Sequence, residues 1–264
     1  MYEWLEYARI GLSISFLSLS SIYDLKTREV PNWIWVLFAP LGFTLTLLQF
    51  SFFGENLFLV LWALSFMVTT GLSLLLFHLG FFGGADAKAL ICLSIAMPVY
   101  PYSMKSYLNI QSPFFPISVF SNAVLASSLL ILGIASHNLL RVIQNRKGLF
   151  EGLEKESYWK KVVVFFTGYK VDIDRLGKGS HHIPLEHFSK DENGKTARRL
   201  KISARLQDEE SEQKDSLGEF CELRNRKIWA TPGLPFLVFI TAGFISALIL
   251  GDVITWLVIK AVAR

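Results

Sequence analysis

Four long stretches of the sequence contain no Asp, Glu, Lys or Arg, and their lengths limit what the chain can fold into. They are residues 32–54, 56–85, 106–140 and 228–251 of 264. A helix that crosses the ~30 Å hydrocarbon core of a bilayer needs about 20 mostly apolar residues. Each stretch is long enough, so the sequence predicts a membrane protein and excludes a soluble globule or a disordered chain.

The charged residues are concentrated in one segment. Between Leu139 and Trp229 lie 19 of the 26 Lys and Arg and 15 of the 22 Asp and Glu. Runs at 162–166 and 171–174 are typical of short strands, 190–195 of a turn, and 208–216 of a polar connecting stretch. We therefore predict a small polar domain here. Its mixed charges favour contact with membrane lipid over nucleic-acid binding.

Together these patterns predict an all-α polytopic membrane protein with six transmembrane helices. The polar domain, containing some β-strand, is inserted between helices 5 and 6. The predicted domains are a membrane domain at 1–138, a cytoplasmic soluble domain at 139–229, and the sixth helix with the C-terminus at 230–264. The predicted spans are 5–23, 32–50, 57–80, 86–101, 114–138 and 234–257. Residues 5–23 lack the basic start of a signal peptide, so we expect a retained helix.

The basic residues in the loops predict the orientation. Lys26 and Arg28 follow the first span, Lys88 follows the third, and the insertion follows the fifth. The loop at 51–56 has no basic residue, and Lys105 is the one basic residue in the loop after the fourth span. We expect a multi-pass protein of the cell membrane, with the N-terminus outside and the polar domain in the cytoplasm.

Two aspartates are candidate catalytic residues. Asp24 closes the first span and Asp86 lies where the third span meets the fourth, so the topology places both at the cytoplasmic face. Taken singly, Asp24 could belong to a charge cluster with Lys26 and Arg28, and Asp86 could cap a helix. Two carboxylates held together share one proton. The ionised one can take a proton from water while the neutral one donates to a carbonyl oxygen, as in aspartic proteolysis.

Other residues near the aspartates are candidates for substrate binding or loop geometry. Gly83 and Gly84 lack a Cβ, so the backbone beside Asp86 can bend and approach a substrate closely. Lys88 could lower the pKa of a carboxylate or bind a lipid phosphate. Pro232 and Pro235 could begin a helix or form a docking edge for substrate.

Two motifs, in this order along the chain, resemble the prepilin peptidase family of membrane aspartic proteases, which is known for a Gly-x-Gly-Asp signature. Residues 24–32, DLKTREVPN, follow the first helix, and residues 83–88, GGADAK, precede the fourth. Ala85 stands where the second signature glycine belongs. The closest resemblance is to the archaeal branch, the preflagellin (pre-archaellin) peptidases, which have six spans and a soluble domain before the last. Residues 228–235 also resemble that branch.

The resemblance implies a reaction and its residues. Such enzymes remove the short basic leader of type IV pilin-like precursors, preflagellin or prepilin, at the cytoplasmic membrane boundary. Cleavage typically follows Gly or another small residue with Lys or Arg just upstream. Carried over to this chain, Asp24 and Asp86 are the catalytic pair, and no metal or organic cofactor is implied. The sequence leaves open which precursor is cut, which aspartate holds the proton, and the oligomeric state.

Several residues have alternative interpretations. His78 could tune the aspartates or make a helix-packing hydrogen bond. His181, His182 and His187 lack the spacing of a metal site, and Cys92 and Cys221 form no metal pattern. Alternative functions are a proton-coupled transporter that uses the two aspartates as a relay, and a non-enzymatic assembly protein.

Overall fold

The computed structural model describes residues 3–53, 56–144, 149–154, 156–173, 182–190, 196–200, 227–233 and 235–263. The chain divides into two compact units, one made of residues 1–127 with 235–264 and the other of residues 128–234. The first unit is helical and the second combines helix with strands. The predicted turn at 190–195 falls almost wholly outside the described residues. The polar stretch at 208–216 and Cys221 lie outside them too.

Long helices form because the apolar segments have no water to satisfy their backbone, so each N–H and C=O must bond within its own helix. The helices are α1 (Glu3–Thr27), α2 (Asn32–Phe53), α3 (Asn56–His78), α4 (Gly84–Ala96), α5 (Phe115–Gln144), α6 (Tyr158–Thr167), α7 (Phe236–Ile249) and α8 (Val253–Val262).

Among the described residues, three helices are long and apolar enough to cross a membrane: 32–49 in α2, 57–78 in α3, and α5. The pair α7 and α8, bent by 61°, forms a fourth if it is one span. The prediction of a mostly helical membrane protein agrees with this. Six spans stay a prediction, because α4 has only 13 residues and α1 does not pass the same test.

The predicted last span, 234–257, is two helices rather than one. Gly251 has φ +94°, which ends the first, and Asp252 begins the second by accepting a hydrogen bond from the Thr255 N–H at 2.9 Å. The buried Asp252 carboxylate also accepts hydrogen bonds from Ser118 and Ser121 of α5. The break is therefore a capped helix start with its polar groups satisfied.

Helix α4 lies at the centre of the first unit and packs against α1, α2, α3 and α7. Its Ala87, Ala89, Leu90 and Leu93 side chains are buried in the main hydrophobic core. The helices approach closely at its C-terminal end, where a Cβ on Gly42 would lie 2.7 Å from the Ala96 Cβ. This packing places the N-terminus of α4, and thus Asp86, among neighbouring helices.

The second unit contains two antiparallel sheets. Strand β5 (Lys227–Pro232) lies between β1 (Tyr169–Asp172) and β2 (His182–Pro184), with Lys170 opposite Trp229. Strands β3 (Glu186–Lys190) and β4 (Thr196–Leu200) pair antiparallel as a two-stranded sheet. The predicted strand at 171–174 corresponds to the end of β1, and Asp174 lies outside the described residues.

The prediction of a strand at Val162–Phe166 was wrong, since these residues belong to α6. A short apolar run does not distinguish a strand from a buried helix face. Here Val164 is fully buried in a small core with Leu153, Leu200 and Trp229, while Val162 and Phe166 are exposed. That burial pattern suits a helix with one inward face.

Candidate functional site

Asp24 lies in the last turn of α1, with 13% of its side chain exposed. Arg28 follows with φ +60°, a left-handed conformation that marks the end of the helix. The Arg28 Nη1 lies 3.9 Å from the Asp24 Oδ1. The other carboxylate oxygen, Oδ2, accepts a hydrogen bond from the Leu237 N–H at 3.3 Å. The partners of Asp24 therefore include a charged group and a backbone donor.

The Leu237 donor belongs to the first turn of α7, whose N-cap is Pro235. The first N–H groups of a helix have no partner within it and form its positive end. A carboxylate is a suitable acceptor there. Asp24 thus caps a helix more than 200 positions away in sequence.

Asp86 is the third residue of α4, and its carboxylate accepts a hydrogen bond from the N-cap residue of the same helix. Its Oδ2 accepts a hydrogen bond from the N–H of the N-cap residue, Gly83, at 3.0 Å. A Cβ on Gly83 would lie 3.2 Å from that oxygen, which is tighter than usual. A Cβ on Gly84 would make only an ordinary contact, 3.8 Å from Phe77. Of the two glycines, Gly83 is the one where a side chain would press on the Asp86 carboxylate.

The structure brings the two aspartates together within the first unit. The Asp86 carboxylate interacts electrostatically with the Asp24 carboxylate and with Arg28. Both aspartates are partly exposed, and each accepts a backbone N–H at the start of a helix. Two neighbouring carboxylates held this way can share one proton and serve as an acid and a base.

Two aromatic side chains hold the backbone donors beside each other. Phe82 directly precedes Gly83, and Phe236 directly precedes Leu237. Their ring centroids are 5.2 Å apart, and Phe82 also packs edge-on against Phe120. This contact fixes the start of α4 against the start of α7.

The remaining predicted site residues lie in different places. Lys88 is exposed and donates a hydrogen bond from Nζ to the Asn32 Oδ1 at 2.7 Å, where α2 begins. Pro235 is the N-cap of α7, which is the helix-start alternative for this segment, and Pro232 ends β5 in the second unit. His78 is exposed at the end of α3 and bonds the Leu74 carbonyl with Nδ1. His78 therefore makes a hydrogen bond within its own helix.

Sequence reasoning missed two contributors to the site. Arg28 was read only as a charge beside the membrane, although its spacing of four residues from Asp24 is typical of a helical ion pair. The Leu237 N–H has no sequence signal, since any residue supplies a backbone donor. Among the described residues, no group of three or more His, Cys, Asp or Glu could hold a metal ion.

Comparison with known proteins adds an independent finding. Residues 11–136 match the type IV leader peptidase family, and residues 160–253 match a domain described as the archaeal peptidase A24 C-terminus, type II. Asp24 and Asp86 both fall in the first match.

Two archaeal relatives are similar over most of their length. A preflagellin peptidase of Methanococcus voltae is 29% identical over 255 residues, covering 92% of this chain and 96% of the relative. A preflagellin peptidase of Methanocaldococcus jannaschii is 29% identical over 243 residues, covering 89% and 91%. The similarity therefore extends through both matched segments.

Proposed function

We propose a substrate, a mechanism and a cellular location for this chain, which belongs to the type IV leader peptidase family and is a protease. It is a membrane-embedded aspartic endopeptidase that removes the short basic leader of preflagellin or another type IV pilin-like precursor. The cut is made at the cytoplasmic membrane boundary. One observation carries the proposal: the Asp86 carboxylate interacts with the Asp24 carboxylate inside one packed helical unit.

The proposed mechanism needs one proton between the two carboxylates. The ionised aspartate takes a proton from a water molecule, and the resulting hydroxide attacks the scissile carbonyl carbon. The protonated aspartate donates its proton to the carbonyl oxygen as the tetrahedral intermediate forms. Collapse of that intermediate breaks the C–N bond: the leaving amine takes the proton that came from water, and one hydroxyl of the intermediate gives its proton to the other aspartate, so the pair again holds one proton. Each carboxylate keeps its backbone hydrogen bond to Gly83 or Leu237 throughout.

The position of the pair suits a substrate with a basic leader and an apolar helix. Asp24 is near the C-terminal end of α1, and Asp86 follows the end of α3 by eight residues. In the proposed topology, with the N-terminus outside, both positions are at the cytoplasmic end of the spans. A precursor whose apolar helix lies in the bilayer would present its leader junction at that level. Arg28 keeps the pair's negative charge partly compensated while the site is empty.

Substitution of each aspartate tests the proposal. The full-length protein is co-expressed with a precursor that has a basic leader and a hydrophobic helix, and cleavage is followed by the change in precursor size. Wild type should cut, whereas Asp24→Asn and Asp86→Asn should each lose activity by about 10²–10⁴-fold, the usual contribution of acid–base groups. Asparagine keeps the size of the side chain and its hydrogen-bond acceptor, so both variants should fold.

Two results would contradict the proposal. One is an intact precursor in the presence of well-folded wild type, and the other is continued cleavage by both variants. A proton-coupled transporter would show the first result. Lys26→Met, an exposed change two residues from Asp24, serves as the matched control and should cleave normally.

A further inference from the structure

Helix α6 of the second unit has an apolar stripe that faces away from its core. The stripe consists of Tyr158, Trp159, Val162 and Phe166, with Tyr158 82% exposed, Trp159 57% and Phe166 41%. Residues 158, 162 and 166 are spaced by four, and Trp159 lies beside them on the same side of the helix. The opposite side carries the fully buried Val164. Neighbouring large apolar side chains exposed on one side of a helix are typical of a surface that contacts a membrane or a partner.

The connection to α5 fixes where this helix lies. The buried Asn138 of α5 donates two hydrogen bonds from Nδ2, one to the Phe165 carbonyl and one to the Gly168 carbonyl, each 2.7 Å long. These carbonyls lie at the C-terminal end of α6 and just beyond it. One turn further along α5, Arg141 bonds the Lys170 carbonyl at 3.4 Å. The end of α6 is therefore tied to α5 at the level of residues 138–141.

That level is where α5 leaves the hydrocarbon. With 30 residues, α5 is about 45 Å long, whereas the hydrocarbon core is only ~30 Å thick. The uncharged stretch ends at Leu140, within α5, and Arg141 in the last turn of α5 is the first charged residue after it. Because α6 is hydrogen-bonded to Asn138 at its C-terminal end, we infer that it lies at the depth of the lipid headgroups.

The charges beside the stripe suit the same position. Lys160 and Lys161 separate the stripe from the buried side of α6, and Lys161 donates to a neutral acceptor, the Glu154 carbonyl, at 3.0 Å. Basic residues next to aromatic and aliphatic side chains are typical of helices that lie in the membrane interface. Trp and Tyr also prefer this layer because their rings combine an apolar body with a polar group.

We propose that α6 is a membrane-interface helix, whose stripe Tyr158, Trp159, Val162 and Phe166 inserts at the phosphate-bearing headgroup boundary of the leaflet that the C-terminal end of α5 reaches. The second unit then has two attachments to the bilayer, α5 and the stripe. This would limit the rotation of the unit about α5. The proposal concerns membrane contact alone and does not rest on the catalytic proposal.

Lipid-borne quenching tests the contact in the full-length protein. A single cysteine for a fluorescent label is introduced by Val162→Cys, in a background with Cys92→Ala and Cys221→Ala. His187→Cys, an exposed position on β3 of the same unit, provides the matched control. Both proteins are placed in nanodiscs of phosphatidylcholine and phosphatidylglycerol whose acyl chains carry a nitroxide.

We expect strong quenching of the label at position 162 and none at position 187. Adding Trp159→Asp and Phe166→Asp to the first protein should abolish most of the quenching, because charged side chains oppose insertion. Both positions are exposed, so the fold should persist. The proposal fails if the label at 162 is open to a water-soluble quencher. It also fails if that label is shielded from water but not quenched by the lipid nitroxide, which would indicate a protein partner or a second copy of the chain.

Discussion

Each end of α4 has a cluster of ionisable side chains, and the two clusters are built differently. At the N-terminal end, Asp24 and Asp86 are partly exposed, and one backbone donor binds each carboxylate. At the other end, Glu6, Arg9 and Gln49 are almost fully buried. There the Arg9 Nε donates to the Ala96 carbonyl at 2.6 Å and its Nη1 donates to Gln49. The first cluster is accessible to solvent, and the second is not.

The buried cluster is a closed network. Gln49 donates to Glu6 at 3.2 Å, and the Glu6 carboxylate also accepts the backbone N–H groups of Tyr102 and Ser103. It therefore joins α1, α2 and the C-terminal end of α4 to the chain that follows α4. A buried charge is tolerated when its hydrogen bonds are satisfied, and removing one partner is costly. The buried cluster stabilises the fold at one end of α4, and the solvent-accessible pair at the other end is the one that the proposed mechanism uses.

The most direct test of this difference between the two ends of α4 is to measure the stability of an aspartate variant. Asp86→Asn should lose cleavage by about 10²–10⁴-fold and leave the thermal unfolding midpoint in detergent nearly unchanged. The asparagine oxygen can still accept the Gly83 N–H, and the removed charge was repelled by Asp24. A large fall in the midpoint would mean that this end of α4 is also structural.

The opposite change is Arg9→Met at the buried end. It removes the positive charge that faces Glu6 and the donor to the Ala96 carbonyl and Gln49, so unfolding should become easier by about 3–5 kcal/mol. Arg9 is 15 residues before Asp24, about 22 Å along α1, so the fraction that stays folded should cleave at the normal rate. Denaturant unfolding and cleavage, corrected for folded protein, check both parts. The exposed change Lys26→Met should alter stability by less than about 0.5 kcal/mol.

Two neighbouring glycines, Gly83 and Gly84, allow a matched test at the N-terminal end of α4. In Gly83→Ala the new Cβ would press on the Asp86 carboxylate and shift it by a few tenths of an ångström. Cleavage should fall by about 10-fold, since small misplacements of reacting groups are costly. Gly84→Ala adds the same atom where only an ordinary contact with Phe77 arises, and should cleave normally. Equal rates for the two variants would mean that the position of Asp86 is not set at Gly83.

The smallest effect is expected at Ala85, where the resemblance to the family has a gap. Ala85→Gly restores the signature glycine and should retain activity, with a stability loss of about 0.5–1 kcal/mol from the lower helix propensity of glycine. Kinetics of precursor cleavage and thermal unfolding measure the two effects. Complete loss of cleavage would show that the loop geometry of the family does not apply to this chain.

The sequence predicted most of the helices because charge is scarce where a chain meets lipid. The same scarcity singled out Asp24 and Asp86, two of the few acidic residues outside the polar segment. The scarcity of charge did not predict the break between α7 and α8, although Gly251 followed by Asp252 is a typical signal for the end of one helix and the start of the next. The hydrophobicity of the whole stretch concealed that local signal.

Other features depend on partners that the local sequence does not specify. The run at 162–166 contains β-branched residues that suit a strand, but burial of Val164 against Leu153, Leu200 and Trp229 selects a helix. The Leu237 N–H at Asp24, and the ring contact of Phe82 with Phe236, join segments far apart in the chain. Only the packed structure brings such groups together.

The hydrogen bond from the Leu237 N–H to Asp24 joins two segments that are synthesised at very different times. Both aspartates are synthesised in the first third of the chain, whereas α7 emerges from the ribosome long afterwards. Until α7 is in place, Asp24 lacks its backbone donor and Phe82 lacks the Phe236 ring. The nascent protein therefore carries both aspartates well before α7 supplies the backbone donor to Asp24. In the proposed mechanism, the position of Asp24 therefore depends on a helix that is synthesised more than 200 residues after it.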